Sequence, residues 1–206
     1  MTLNIRDVRE HELDVVLALN NAAGDSILPL DMSQLQALAD HAAYFRVAEV
    51  DGQLAGFLVA LREDADYASP NFRWFRERYE QFLYIDRIVI ASGYRRVGLG
   101  RVFYADVTSF AEVRVPLLAC EVFLEPRDDV VVLFHGIYGF QEVGQQLMPG
   151  VNRRVALLGK ELPSFAYVRD NYLHGPSGGL PAQPWLAERA YSADLPCVHA
   201  SGGHGQ

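Results

Sequence analysis

The sequence predicts a domain of the α/β (α+β) class, and three observations carry that expectation. The apolar run 82–90 leads into a basic glycine loop, Ser92 to Arg101, and then into helical periodicity as far as Val113. The alternating runs 44–50 and 53–61 flank Asp51-Gly52, one of the strongest short hairpin signals. An apolar stretch, Asp128–Tyr138, reads as a short helix stopped by Gly139 ahead of two closing strands.

Taken in order, Leu3–Val8 alternates and predicts a first strand. Over Glu10–Ala23, Leu13, Val16, Leu17 and Asn20 fall at helical spacing, and Gly24 ends the segment. Met32–Ala43 predicts a second helix with Ser33 as its cap. The hairpin follows, then a polar and aromatic insertion, Arg62–Gln81, then the strand Phe82–Ile90. Behind the loop comes a helix from Leu99 to Val113, a strand over Leu117–Leu124, and the helix Asp128–Tyr138. Gln141–Gln146 and Arg153–Leu158 close the domain around Met148-Pro149-Gly150. The resulting order is β-α-α-β-β-β-α-β-α-β-β.

The loop is a phosphate cradle in outline. Gly98 and Gly100 lack a Cβ, so the backbone can turn sharply and come close to a ligand. The following helix aims its free N–H groups and positive dipole end at the same point. Arg95, Arg96 and Arg101 add positive charge in an otherwise acidic chain. The pattern, Arg-x-x-Gly-x-Gly, is neither a Walker loop nor the dinucleotide fingerprint.

Arg-x-x-Gly-x-Gly after an Ile-Val-Ile strand resembles the acetyl-CoA pyrophosphate loop of the GNAT N-acetyltransferase superfamily. Downstream, Leu133-Phe134-His135-Gly136-Ile137-Tyr138-Gly139-Phe140 is similar to that family's Phe-Tyr-x-x-x-Gly-Phe helix end. The resemblance covers roughly residues 1–162 and implies a mixed, mostly antiparallel sheet of about seven strands flanked by helices. It implies acetyl-CoA as co-substrate, with no metal, and acyl transfer to an amine in a ternary complex. By the same resemblance, Ile88, Val89 and Ile90 contact pantetheine through their backbone, with an N–H near Val89 as oxyanion donor. Arg95, Arg96, Val97, Gly98, Leu99, Gly100 and Arg101 map onto the pyrophosphate contacts. Asp128 stands where many members place an asparagine facing the cofactor, which puts that contact in doubt.

Asp86 is the expected base. Strand alternation puts Tyr84, Asp86 and Ile88 on one face, and Ile85, Arg87 and Val89 on the other. A carboxylate in an apolar strand is seldom idle, since an unpaired buried charge is costly. Catalysis and a structural ion pair both remain open, and opposite faces weaken a pair with Arg87. His135 occupies the family's tyrosine position, the acid for the CoA thiolate. An imidazolium has a lower pKa than a thiol, about 6.5 against about 8.5, and could take over that role; a structural histidine is the alternative. Tyr138, one turn on, reads as a core residue or as a second source of the proton.

The insertion carries Tyr67, Arg73 and Trp74 among other aromatic and arginine residues. Such a mixture suits a substrate lid that binds together with Tyr84, a packed surface loop or a dimer contact. From Pro163 the texture changes, and residues 163–206 form an extension whose end, His199–Gln206, has the composition of disorder. Its Tyr167, Tyr172, Leu173, Trp185, Leu186 and Tyr191 suit packing on the domain or on a second subunit, hence a homodimer.

The net charge of −8 excludes a general nucleic-acid binder, which needs a basic face, and suits an amine-bearing substrate or a soluble surface. Cys120 and Cys197 make no disulfide framework, Cys120 reading as a buried small hydrophobe. The N-terminus reaches charge at once, and no apolar run approaches the ~20 residues that span a bilayer. A reducing cytoplasm is therefore expected. The other histidines show no metal-ligand spacing. The expected activity is N-acetylation of a small-molecule amine. Two alternatives stand beside it: a non-catalytic acyl-CoA-binding regulator of the same fold, and a protein or peptide N-acetyltransferase.

Overall fold

The computed structural model describes residues 2–24, 26–125, 129–149 and 152–173. Asp128 and the extension beyond Leu173, with Trp185, Leu186, Tyr191 and Cys197, lie outside them. The strands are β1 (Leu3–Asp7), β2 (Tyr44–Val50), β3 (Gln53–Arg62), β4 (Leu83–Ile90), β5 (Leu117–Phe123), β6 (Gln141–Met148) and β7 (Arg153–Glu161). The helices are α1 (Leu13–Asn21), α2 (Met32–His41), α3 (Pro70–Arg76), α4 (Leu99–Ala111), α5 (Asp129–Ile137) and α6 (Ser164–Val168). The strands form one mixed sheet in the order β1-β2-β3-β4-β5-β7-β6. Neighbours are antiparallel except β4 and β5, which are parallel. Among the described residues no helix is long and apolar enough to cross a membrane.

The sheet separates two apolar layers, as a half-apolar sequence requires. On one face Leu13 and Val16 of α1, Leu35 and Leu38 of α2, and Phe72 and Phe75 of α3 are buried. On the other, α4 buries Leu99, Phe103, Tyr104 and Val107, and Phe134 and Tyr138 pack beside them. The β2–β3 hairpin turns through Asp51 and Gly52, both at positive φ, as its dipeptide predicts. The cap of α2 is Asp31, not Ser33: its carboxylate accepts from Gln34 N at 2.8 Å while Gln34 Oε1 accepts from Asp31 N at 2.9 Å. The insertion is not all loop. Ser69 caps α3, and Pro70 opens it where no N–H is needed.

Two irregularities of β4 shape the centre of the molecule. Arg87 pairs with Val59 and Ile85 with Ala60, so Asp86 is an extra residue with no partner opposite. This bulge shifts the alternation expected from the sequence. Tyr84 and Val89 pack on the α1–α3 face, Ile85 and Ile88 on the α4–α5 face. The second irregularity is the joint with β5, which pairs only Leu83 with Leu118 and Tyr84 with Ala119. Beyond those rungs the strands part, leaving the β5-facing backbone edge of β4 without a ladder.

Candidate active site

The bulge turns Asp86 and Arg87 to the same face, where alternation would have separated them. Arg87 Nε donates to Asp86 Oδ2 at 2.6 Å, with only 9% and 4% of the two side chains exposed. Arg87 Nη1 continues to Asn20 Oδ1 of α1 at 2.8 Å and to Leu28 O at 3.3 Å. The pair thus anchors the segment after α1 to the central strand. Tyr67, from the insertion, donates its hydroxyl to Asp86.

Across the gap stands Glu121 of β5, which the sequence reading passed over. The signal was present: a lone carboxylate in the apolar run 117–124, the same argument that singled out Asp86. Tyr84, fully buried, donates its hydroxyl to Glu121. Burial, reinforced by the negative charge of Asp86, pushes the Glu121 carboxyl up to about 7, against the Tyr84 and Asn71 contacts and the Arg87 charge. A carboxyl that titrates near neutrality can exchange a proton with an amine.

Helix α3 roofs this network. Phe72 and Phe75 pack edge-on or tilted against Tyr84. Asn71 is fully buried, and its Oδ1 accepts from Gln146 Nε2 of β6 at 3.0 Å. Trp74 lodges against β6 where Gly144 leaves room; a Cβ there would sit 2.6 Å from Trp74 Cζ2. Arg78 stacks on the outer face of Trp74 at 4.2 Å. Arg73 is exposed.

At the other end of β4 the loop has the geometry of an anion cradle. Gly98 caps α4 at φ 93° and brings no side-chain cap, so the first-turn N–H groups stay open to an anion. Arg96 holds φ 67°, a backbone region that costs a residue with a side chain. Arg95, though exposed, is bonded to the protein's own backbone: its Nε donates to Ile90 O and its Nη2 to Ala23 O. Arg96, Val97 and Arg101 are exposed, while Leu99 is buried in the core. Gly100 serves helix packing, because a Cβ there would meet the Phe134 ring at 2.9 Å. The parted edge of β4 and the cradle at its end fit an elongated thioester with a pyrophosphate.

His135 lies on the α4–α5 face, 5% exposed, ringed by Tyr104, Phe134 and Phe140. Its Nδ1 bonds Val131 O at 2.8 Å, which makes that nitrogen the protonated one. Burial lowers its pKa below the ordinary value, so near pH 7 the ring is uncharged. Tyr138, half-buried, packs against Tyr104 and Phe134. The Tyr104 hydroxyl is buried with no hydrogen-bond partner among the described residues. The carboxylates and these tyrosines therefore lie on opposite faces of the sheet. A separate cavity of about 340 Å³ sits at the far end of β4, against Arg62, Arg114, Phe165, Arg169 and Leu173. Among the described residues no three potential ligands cluster to hold a metal.

A sheet parted between two parallel strands, with an anion cradle at its mouth, is the arrangement that the resemblance to acyl-CoA-dependent acyltransferases implies. The sequence pattern of the acetyltransferase (GNAT) family matches residues 12–130, and the chain belongs to that family. Solved structures agree in fold. Ard1 from Thermoplasma volcanium superposes with a TM-score of 0.65 at 14% identity, over 79% of this chain and 99% of that one. The ribosomal-protein-S18-alanine N-acetyltransferase from Escherichia coli gives 0.60 at 14%, over 78% and 94%. A structure assigned as a phosphinothricin N-acetyltransferase gives 0.59 at 19%, over 78% and 99%. No sequence among functionally curated proteins matches the chain.

Proposed function

We propose that this acetyltransferase uses acetyl-CoA to acetylate a small-molecule amine, directly and in a ternary complex. The observation that carries the acceptor class is the roof of α3 over the two carboxylates. Tyr67 and Asn71 reach down onto Asp86 and Glu121, and Trp74 fills the notch at Gly144. A bound peptide would need an open groove across this face, whereas a small amine needs only room beside Glu121.

Acetyl-CoA supplies an acyl group already activated as a thioester. The first-turn N–H groups of α4, with Arg96 and Arg101 beside them, bind the pyrophosphate. Backbone N–H groups on the parted edge of β4 serve as the oxyanion contact. Glu121 takes the amine proton, being partly ionised at neutral pH. Asp86, committed to Arg87 and Tyr67, keeps the cleft negative and orients the ammonium. Tyr138 is the hydroxyl left to protonate the departing thiolate. His135 is uncharged and has already given its N–H to Val131, which argues against an imidazolium acid. Neither Asp128 nor the tail enters this scheme.

A second reading, a peptide N-terminus as acceptor, is favoured by the matched ribosomal-protein-alanine enzyme. The test is release of CoA thiol from acetyl-CoA across amino acids, polyamines, aminoglycosides and short peptides. Turnover of small amines supports the first reading, and turnover of peptides alone the second. Tight acetyl-CoA binding with no acceptor in any class would favour a non-catalytic binder.

A further inference from the structure

The cavity at the far end of β4 takes no part in the cleft. It lies past the C-terminus of α4, whose N-terminus carries the cradle, and the 13 residues of that helix put about 20 Å between its two ends. Its volume of about 340 Å³ falls in the range of small-ligand sites. Part of its wall is apolar: Val113, the buried Phe165 and Leu173. The rest carries three guanidinium groups, Arg62 from the end of β3, Arg114 from the turn after α4 and Arg169 from the turn after α6. Among the described residues no carboxylate lines it.

Three like charges around one cavity repel one another, and more strongly where an apolar wall keeps water away. Acidic neighbours offset part of this from outside the lining. Arg62 donates from Nε and Nη2 to Glu63 at 3.1 and 2.7 Å, and Arg169 from Nε to Asp170 at 2.8 Å. Among the described residues Arg62 Nη1 and both Nη groups of Arg169 make no hydrogen bond. Arg114 is held in place: its Nη1 donates to Phe110 O at 2.8 Å, and its guanidinium lies 4.0 Å from the centre of the Phe110 ring. Donors fixed beforehand lose little freedom when a ligand arrives.

We infer that this cavity is a second binding site, separate from the acyl-transfer cleft, for a small oxyanion that carries an apolar body. Guanidinium forks match the oxygens of a carboxylate or a phosphate and donate only, so the group they take is an anion. Val113, Phe165 and Leu173 receive the apolar part, which loses its contact with water. A bare anion fills the charged half alone, and a neutral apolar molecule the other half alone. The two together define the ligand.

The test is calorimetric titration of the full chain with 3-phenylpropionate, 2-phenylethyl phosphate and the neutral 3-phenylpropanamide, which share one apolar body. At least one anion is expected to bind about tenfold or more tightly than the amide, the margin of a charge-assisted hydrogen bond. The tighter of the two anions identifies the oxyanion. Its affinity is expected to be the same with and without saturating CoA, because the two sites stand at opposite ends of α4. Arg169→Gln, at an exposed position that leaves the core untouched, is expected to weaken the anion about threefold, the size of an exposed ion pair. Val113→Glu sets a negative charge in the cavity and is expected to abolish anion binding while acetyl-CoA affinity holds. Equal affinity for anion and amide would overturn the inference. So would displacement of the anion by CoA, which would put the probe in the cradle, or wild-type anion affinity in both variants.

Discussion

Asp86 and Arg87 are consecutive residues of one strand and form a buried ion pair of 2.6 Å with each other. A strand of regular pleat cannot do this, because successive side chains leave opposite faces. The extra residue in the β3–β4 register allows it. One bulge thereby sets the charge of the cleft, the anchor for Asn20 and the acid beside Glu121.

Removing the cation should expose the cost of that arrangement. Arg87→Met leaves Asp86 with Tyr67 but no positive partner, and is expected to destabilise the fold by about 3–5 kcal/mol in urea unfolding. The double variant Arg87→Met, Asp86→Asn should recover most of the loss. A single variant as stable as wild type would mean that the pair contributes nothing.

Glu121 should show itself in both rate and stability. Glu121→Gln is expected to lower kcat by ~10²–10⁴-fold with acetyl-CoA affinity unchanged. Wild-type activity should fall as pH drops through about 7, as the carboxylate takes up its proton. Stability runs the other way. The folded carboxyl holds a proton that the unfolded chain releases near 4.5, so wild-type stability declines as pH rises from about 4.5 to about 7. Glu121→Gln lacks this decline and should be more stable at pH 8, by roughly 1–3 kcal/mol, with little difference at pH 4. Thermal melts at the two pH values decide it.

Gly98 tests the anion cradle. At φ 93° a substituent strains the turn, and Gly98→Glu also brings negative charge to the mouth of α4. Acetyl-CoA affinity by calorimetry should fall at least about tenfold, with far-UV circular dichroism unchanged. Affinity equal to wild type would remove the loop from the binding site.

His135 and Tyr138 should separate cleanly. His135→Phe keeps the aromatic packing around Tyr104 and is expected to leave kcat within about threefold of wild type. Tyr138→Phe removes only a hydroxyl and should lower kcat by ~10²-fold or more if that group protonates the thiolate. The opposite ranking would restore the histidine as the acid.

Much of this molecule is written in local signals. The Asp51-Gly52 turn, the glycine loop and the Gly139 stop each depend on a few adjacent residues, and each stands where its chemistry puts it. The site is less legible because it depends on register. The bulge at Asp86 arises from how β3 and β4 align, so alternation assigned Arg87 to the wrong face. The burial of His135 depends on rings drawn from α4, from α5 and from Phe140 just ahead of β6. Glu121 was legible by the reasoning applied to Asp86, but its partner Tyr84 and its roof α3 come from distant parts of the chain. Ser33 lost the cap to Asp31 because Asp31 and Gln34 answer each other, a reciprocal pairing that one polar residue cannot match.

The two rungs between β4 and β5 make the sheet a pair of panels meeting at a short seam. Backbone bonding holds each panel within itself, and past the seam the Tyr84–Glu121 contact is a side-chain strut between them. Any molecule threaded through the parting becomes part of the masonry, bonded to one panel's edge and pressed against the other. Occupancy and architecture are then one variable. The amides of Leu118 and Ala119 should exchange with solvent faster than those in the middle of β2 or β3, and should slow when the parting is filled.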